Sequence, residues 1–447
     1  MDKNSISKLT AISPIDGRYR EKTKSLSPYF SEYGLMRERV KIEIEYLIFL
    51  SSKKLIRKIT PKETETLIII YKNFELKNAV RIKEIEKNTR HDVKAVEYFL
   101  REAFEKSSVK DLVEFIHFGL TSEDLNNICI RTLLQSGGKE ILIPSVNLLQ
   151  KDLNQKSKSY KNTVMMGRTH GQNAIPTTLG KEISVFEERL DLQISKLEKF
   201  IFFGKFGGAI GNFNALNFVH PNINWPKVSK EFIKSLSLSY LAKSTQVNGN
   251  DDIVEYFQII ERINLIILGL DQDIWRYISD GWIIQANKKD EVGSSTMPQK
   301  INPIDFENSE GNIALANGLI DVFVNKLPIS RLQRDLSNST VTRSFGSVFA
   351  YCLISYSSLQ NGLSRISPNI EKITNYLNED WSILSEAAQT LLRKEGSQNG
   401  YKLLAELTKG KAIKQKDWIK IVDKLPLSDV NKNRLAKLTP ANYRGIY

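Results

Sequence analysis

The chain has 447 residues, of which 41% are hydrophobic and 26% charged, and its formal net charge is +13. This length and composition predict a folded protein with one extended core or two to three domains. A basic chain can bind nucleic acid, but these lysines are spread along the whole sequence and mixed with glutamate, without the interleaved aromatic side chains of a stacking surface. The charge pattern therefore argues against a nucleic-acid partner and favours small anionic ligands.

The sequence also argues against a membrane protein, a disulfide-bonded protein and a zinc protein. No window reaches the roughly 18 consecutive apolar residues of a membrane span, and the opening MDKNSISKLT lacks the apolar segment of a secretory signal. Cys129 and Cys352 lie far apart and outside any CxxC motif, so we expect two core thiols. We therefore expect a cytoplasmic protein that contains no metal.

Residues 1–111 are predicted to form an N-terminal helical domain. Pro14, Pro28 and Pro61 divide this part into short amphipathic helices, and EYGLMRERVKIEIEYLIFL is the clearest of them. At the other end, residues 365–447 are again short segments punctuated by glycine, which predicts a small C-terminal helical domain.

Residues 112–364 are predicted to form a central bundle of long helices. From Leu179 to Ile201 the apolar residues recur at alternating steps of three and four, which places them on one face of a helix. Helices of this length in series are typical of a bundle that associates with other copies. Strand signals are limited to Asn162–Met166 and the glycine-rich Gly204–Asn214 region. Further proline-free stretches run from Ile253 to about Ile284, from Ile304 to about Lys326 and from Val341 to about Leu363.

Three polar clusters interrupt the helical pattern. In HFGLTSEDLNN, which starts at His117, Thr121 or Ser122 can cap a helix, and the free N–H groups of that helix can also bind carboxylate or phosphate. In GRTHGQ, the glycines place His170 on a turn, where an imidazole can protonate a basic leaving group. The run from Arg331 to Arg343 contains three arginines suited to anions, although it could equally be a solvated capping segment.

A fourth segment, GSSTMPQKINP at residues 293–303, combines two serines, a lysine and an asparagine. Gly293 and the two prolines keep it out of regular helix until a helix begins near Pro303. Polar groups on such a loop can close over a ligand, although a lone polar loop is usually only solvated.

Together these motifs resemble the fumarase/aspartase superfamily, whose members release fumarate by β-elimination and share the serine-loop motif seen in GSSTMPQKINP. Within the superfamily the chain resembles the adenylosuccinate lyase family of the longer bacterial type. The resemblance covers essentially the whole chain and implies an all-α fold of three helical domains. It also implies a homotetramer built around a core of about twenty long helices. The motifs that carry it are SPIDGRY, RHDVKAVEYFL, HFGLTSEDLNN, GRTHGQNAIPTTLGKE, NPIDFENSEGN, SRLQRDLSNSTVTR and TPANY.

The resemblance implies a reaction on nucleotide substrates, adenylosuccinate and SAICAR, without any cofactor. Ser294 would be the general base, His170 the general acid, and Lys300 with Asn302 would stabilise the negative charge of the intermediate. Glu291 could pair with His170. The remaining residues that the resemblance implies in substrate binding are Thr121 and Ser122 for the succinyl carboxylates, Gln246, His117 near His170 or the phosphate, and Arg18, Tyr19, Arg90, His91, Asp92, Arg334, Ser339 and Arg343 at the nucleotide end.

Two alternatives stay open at the level of sequence. The first alternative is argininosuccinate lyase, because Gln299 stands where the family often has histidine and the sequence PQK resembles the motif of that enzyme. However, the arginine-rich run would have no purpose with a phosphate-free substrate. A helical scaffold without activity is the other alternative, and the presence of His170, Ser294 and Lys300 argues against it.

Overall fold

Helices dominate the computed structural model, which describes residues 8–105, 107–286, 296–297 and 299–447. The predicted all-α class is therefore confirmed. None of the described helices is both long and apolar enough to cross a membrane. In chain order the α-helices are α1 Arg20–Thr23, α2 Ser27–Phe30, α3 Glu32–Ser52, α4 Pro61–Lys72, α5 Leu76–Thr89, α6 Asp92–Glu105, α7 Ser122–Gly137, α8 Ile143–Ser159, α9 Leu179–Glu198, α10 Asn214–Val219, α11 Trp225–Ser235, α12 Asp251–Ser279, α13 Ile304–Lys326, α14 Ser337–Thr342, α15 Phe345–Ser364, α16 Ile370–Leu377, α17 Ser385–Lys394, α18 Gly400–Thr408, α19 Gln415–Lys424 and α20 Asp429–Ala436.

Short strands and tight helical turns join these helices. The strands β1 and β2 form an antiparallel hairpin, β3 and β4 pair in parallel, and β5 pairs with β6 antiparallel. Their bounds are β1 Val164–Thr169, β2 Gln172–Thr178, β3 Phe203–Gly204, β4 Ser239–Tyr240, β5 Ile283–Gln285 and β6 Ile366–Pro368. The 3-10 turns are Lys24–Leu26, Lys110–Phe115 and Trp381–Leu384, and Gly138–Leu142 forms a π-helical turn.

Local sequence explains where several helices begin. Helix α4 starts with a capping box, because the Glu63 carboxylate accepts from the Thr60 N–H at 2.8 Å and Thr60 Oγ1 accepts from the Glu63 N–H at 3.3 Å, with Pro61 at the first position. Ser31 Oγ likewise accepts from the Gly34 N–H at the start of α3. Helix α13 follows Pro303, as the sequence predicts.

Two predicted helices are shorter than the sequence suggests. The stretch from Ile253 was expected to continue to about Ile284, but α12 ends at Ser279. Gly281 then takes a left-handed φ of +71°, and the following residues pair as β5. The stretch from Val341 is divided at Arg343–Ser344 between α14 and α15. The first of these helices, α12, ends because the residues that follow it pair with the distant strand β6, which the local sequence pattern cannot indicate.

The chain divides into two compact units. Unit 1 comprises Met1–Asn147, Gln193–Leu265 and Gly311–Tyr356, and unit 2 comprises Leu148–Leu192, Ile266–Glu310 and Ser357–Tyr447. The division into domains 1–111, 112–364 and 365–447 follows sequence segments and stays a prediction.

Each unit has its own buried side chains. In unit 1 the Phe257 ring lies 4.9 Å from the rings of both Phe323 and Phe345, which joins helices α12, α13 and α15 through aromatic contacts. The predicted core thiols Cys129 and Cys352 are both free and buried in this unit. In unit 2, a Cβ on Gly180 would collide with the backbone of Ser157 and Lys161, so glycine allows α8 and α9 to approach closely.

Candidate active site

A cavity of about 350 Å³ in unit 1 is lined by many of the residues predicted to bind the nucleotide end. In all, five arginines and four carboxylates line it, so the cavity is strongly polar. A site of this composition suits an anion better than an apolar ligand. The predicted residues that line it are Arg90, His91, Asp92, Ser122, Arg334, Ser339 and Arg343.

The turn between α5 and α6 contributes one wall of the cavity. Arg90 takes a left-handed φ of +51°, which turns the chain sharply before His91. The His91 Nδ1 atom accepts from the Lys94 N–H at 3.2 Å and so caps α6. Since Nδ1 is an acceptor, the neutral ring carries its proton on Nε2, which leaves a donor for an anion.

Two of the lining arginines are already neutralised by carboxylates, those of the half-buried Asp92 and the buried Asp252. Arg39 donates to Asp92 at 2.7 Å and to Asn126 at 3.0 Å, and Arg131 forms a two-point pair with Asp252 at 2.7 and 2.8 Å. Burial alone would raise the pKa of Asp92, but the Arg39 charge and hydrogen bond outweigh it and lower the pKa. These ion pairs therefore form part of the cavity wall, in which Asp92 is the counter-ion of Arg39.

Arg334 is positioned by an uncharged partner. Its Nη1 donates to Gln246 Oε1 at 2.7 Å, and Gln246 Nε2 donates in turn to the Ala209 carbonyl at 2.8 Å. Its Nη2 lies 4.0 Å from Glu123 Oε2. Burial raises the pKa of Glu123, while the charges of Arg334 and Lys205 act in the opposite direction. The structure thus brings the predicted residues Gln246 and Arg334 together.

Thr121 and Ser122 stand at the start of α7, as the capping prediction requires. Thr121 is the N-cap, and its N–H donates to Asp124 Oδ2 at 3.0 Å. Asp124 is fully buried, and its carboxylate also accepts from Lys205 Nζ at 2.7 Å and from the N–H groups of Gly207 and Gly208 at 3.0 and 2.9 Å. Asp124 therefore fixes the helix start from which Ser122 faces the cavity.

The other predicted residues of unit 1 are not among the described residues that line this cavity. His117 has a left-handed φ of +59° and its Nδ1 lies 2.5 Å from Glu43 Oε1. Burial alone would lower the pKa of His117, but the charge and hydrogen bond of Glu43 outweigh it and raise the pKa. Arg18 lies with its guanidinium carbon 5.9 Å from the Tyr19 ring.

In unit 2, His170 occupies the exposed tip of the β1–β2 hairpin. Thr169 pairs with Gln172, so His170 and Gly171 form a two-residue turn, and both have positive φ values of +52° and +73°. This geometry is that of a type I′ hairpin turn, in which glycine is favoured. The predicted placement of His170 on a turn is therefore confirmed by the backbone.

The serine loop is only partly described. Glu291, Gly293, Ser294 and Ser295 lie outside the described residues. Of the predicted residues that follow, Lys300 is exposed and its N–H donates to the Met297 carbonyl at 3.1 Å, and Asn302 is half-buried just before α13.

Sequence reasoning missed a residue that joins the two sides of this loop. Arg365 is largely buried; its guanidinium donates to the Ala286 carbonyl at 3.3 Å and to Asp305 at 3.2 Å, and its carbonyl accepts from the Ala286 N–H at 2.7 Å. Ala286 precedes the loop and Asp305 follows it. No signal in the sequence links Arg365 to either, because it lies 79 residues beyond Ala286 and 60 residues beyond Asp305.

Comparison with known proteins decides the family. The family described as "Lyase" matches residues 17–318, and the family described as "Adenylosuccinate lyase C-terminal" matches residues 330–444. Curated adenylosuccinate lyases match nearly the full length: that of Haemophilus influenzae is 43% identical over 98% of this chain and 97% of its own, and that of Dictyostelium discoideum is 45% identical over 99% and 97%. The chain belongs to the adenylosuccinate lyase family.

Solved structures agree with the fold of this family. A fumarate lyase from Mesorhizobium sp. BNC1 superimposes with a TM-score of 0.74 at 16% identity, covering 94% of this chain and 95% of that one. A 3-carboxy-cis,cis-muconate lactonizing enzyme from Pseudomonas putida gives a TM-score of 0.72 at 19% identity, covering 94% of each chain. At these identities the likeness shows the shared fold alone.

Proposed function

We propose that the chain is a C–N lyase that cleaves adenylosuccinate to AMP and fumarate, and SAICAR to AICAR and fumarate. The observation that carries this proposal is the 40–45% identity to curated adenylosuccinate lyases over 98–99% of the chain. The polar cavity of unit 1 supports it, because a nucleotide phosphate needs cationic donors of the kind that Arg334 and Arg343 provide.

The proposed reaction is a β-elimination. Ser294 takes a proton from Cβ of the succinyl group, and the electron pair left behind spreads onto the adjacent carboxylate. Lys300 and Asn302 stabilise that doubly charged intermediate. The C–N bond then breaks, the carbon–carbon double bond of fumarate forms, and His170 gives its proton to the departing nitrogen. A turn at the tip of a hairpin suits the acid, because its imidazole is exposed to an incoming substrate.

The substrate would be held at both ends. Thr121 and Ser122, at the start of α7, bind the succinyl carboxylates, since the first N–H groups of a helix and a hydroxyl favour anions. Gln246 holds Arg334 in position, and His117 supports the site from its pair with Glu43. The nucleotide end is assigned to Arg18, Tyr19, Arg90, His91, Asp92, Arg334, Ser339 and Arg343.

We further propose that the chain assembles as a homotetramer. Helix α13 presents an exposed stripe of small and apolar residues, with Leu315 at 52% and Val322 at 49% exposure. Gly311 and Gly318 on the same stripe have open space beside their Cα atoms, which allows another helix to approach closely. Light scattering on the purified protein should give the mass of four 51.0 kDa chains, and a monomeric mass would contradict the proposal.

The activity is tested by following fumarate release from adenylosuccinate, SAICAR and argininosuccinate in parallel. Turnover of the two nucleotides alone is the expected result, and turnover of argininosuccinate alone would instead support the alternative suggested by Gln299. Ser294→Ala and His170→Ala should each lower kcat by about 10²-fold or more. Full activity in either variant would refute the corresponding role.

A further inference from the structure

Two residues next to the turn of the hairpin that carries His170 make contacts with the rest of unit 2. Arg168 on β1 and Asn173 on β2 face each other in the hairpin register, one step before the turn-closing pair Thr169 and Gln172. Arg168 lies two positions before His170, and Asn173 lies two positions after Gly171, so a movement of this pair also moves the turn. Contacts of Arg168 and Asn173 therefore decide how firmly the imidazole is placed.

Arg168 is held by a charge and by two aromatic rings. It forms an ion pair with Asp280, and its guanidinium carbon lies 4.1 Å from the centre of the Trp282 ring and 5.3 Å from that of Tyr376. Burial alone would lower the pKa of Arg168, but the hydrogen bond and charge of Asp280 outweigh it and raise the pKa. The side chain is permanently charged and only 19% exposed, and its charge is already neutralised.

Asn173, on the other strand of the hairpin, is held by Tyr376 of α16, whose ring also lies near Arg168. Its Oδ1 accepts from Tyr376 Oη at 2.9 Å, and the Tyr376 ring lies 5.1 Å from the Trp282 ring. We call Arg168, Asn173, Asp280, Trp282 and Tyr376 the hairpin clamp. Both strands of the hairpin are thus fixed to residues that contact one another.

The hairpin clamp also lies on the segment that leads into the serine loop. The Trp282 carbonyl accepts from the Asn369 N–H at 2.7 Å, and β5 follows directly, paired with β6. The chain continues from Gln285 through Ala286 towards Ser294. The segment that starts this loop is therefore the same segment that holds the hairpin of His170.

We propose that Arg168 is a positioning residue: through the hairpin clamp it holds the His170 imidazole in line with the departing nitrogen without touching the substrate. This inference rests on the proposed function, in which His170 is the acid. Arg168 is poorly suited to bind a substrate anion, because Asp280 neutralises its charge and Trp282 covers its flat face. Correct placement of an acid is a large part of its effect, and a displacement of about 1 Å can cost about 100-fold in rate.

The test compares Arg168→Lys with Tyr376→Phe. Lysine keeps the charge but lacks the planar fork, whereas phenylalanine keeps the ring but removes the hydrogen bond to Asn173. We expect kcat on adenylosuccinate to fall by about 10- to 100-fold in Arg168→Lys and by less in Tyr376→Phe, with KM changing by less than about twofold. Arg276→Lys is the matched control. Arg276 also contacts Asp280, at 3.3 Å, but its side chain is 64% exposed.

Two kinetic results would overturn the proposal. An unchanged kcat in Arg168→Lys would show that the hairpin clamp does not position the acid. A raised KM with an unchanged kcat would show that Arg168 contacts the substrate instead.

The proposed function can fail separately, namely if the unmodified protein releases no fumarate from any of the three substrates. Hydrogen exchange in Arg168→Met then decides the structural part of the inference. Faster exchange of the amides in 164–178 would support the hairpin clamp, and unchanged exchange would overturn it.

Discussion

Replacing Asp124 by asparagine removes a fully buried carboxylate that joins the start of α7 to the segment Lys205–Gly208. One oxygen accepts from Lys205 Nζ at 2.7 Å and the Gly207 N–H at 3.0 Å, and the other accepts from the N–H groups of Gly208 and Thr121 at 2.9 and 3.0 Å. An amide of the same shape has a single acceptor oxygen. Its NH₂ group would point at two donors, and the buried Lys205 ammonium would lose its counter-charge.

The expected loss of unfolding free energy is about 3 to 5 kcal/mol, the range found when one partner of a buried ion pair is removed. Lys205→Met should cost less, about 2 kcal/mol, because Asp124 then keeps three backbone hydrogen bonds. Asp111→Asn is the control, since it removes a surface pair with Arg57 that should contribute less than about 1 kcal/mol.

The assay is denaturant unfolding of all three variants at pH 7 and one protein concentration, because the stability of an oligomer depends on concentration. The asymmetry between the two partners is the sharper part of the prediction. If Asp124→Asn lost no more stability than Asp111→Asn, or less than Lys205→Met, the assignment of Asp124 as the central acceptor of this network would be wrong.

Three further outcomes follow from single side chains. Arg334→Ala should raise KM for adenylosuccinate about 10- to 100-fold, as expected for the loss of one charge-assisted hydrogen bond. Arg331 is exposed, so Arg331→Ala should leave KM unchanged. Equal KM values in the two variants would exclude Arg334 from the phosphate site. Because Glu43 raises the pKa of His117 above 6.5, the stability from this pair is full below pH 6.5 and is lost as the pH rises through the folded-state pKa; pH-dependent unfolding of His117→Gln should lack this decline. Burial raises the pKa of Asp271 from 3.8 to about 8, so this carboxyl group costs stability as the pH rises between these values. Asp271→Asn should therefore be more stable than the unmodified protein at pH 8, by on the order of 5 kcal/mol, and a less stable variant would contradict this.

Local patterns predicted the helices well where they contained their own end signals. Helix α13 begins at Ile304 because Pro303 fixes the preceding backbone, and it ends at Lys326 as the pattern indicates. The end of α12 depends on β5 pairing with β6, whose partner residues lie some eighty positions further along the chain. Strand β2 was missed because it contains Pro176 and because its turn, His170–Gly171, lacks the usual Asn-Gly or Asp-Gly signal.

The candidate site shows the same limit. Motifs in the sequence pointed to Arg334, Gln246 and Ser122, and the structure places the first two in contact. The residues that hold such groups were not predictable, because Asp280 and Tyr376 meet Arg168 only through the fold. A single sequence gives the types of residues that chemistry requires, whereas their supporting partners depend on contacts between distant segments.

The lining of the unit 1 cavity indicates which arginines are available to a phosphate. Arg39 and Arg131 are themselves buried and are matched by the carboxylates of Asp92 and Asp252, so a ligand would have to compete with a close ion pair to use them. Arg343 pairs with Glu32 at 2.8 Å, but the two side chains are 61% and 51% exposed, and such a pair is weak in water. Arg334 donates at 2.7 Å to an amide that carries no charge. A phosphate entering the cavity would therefore gain most from Arg334 and Arg343, because the Glu123 carboxylate lies 4.0 Å from Arg334, beyond hydrogen-bond distance, and the counter-ion of Arg343 is exposed.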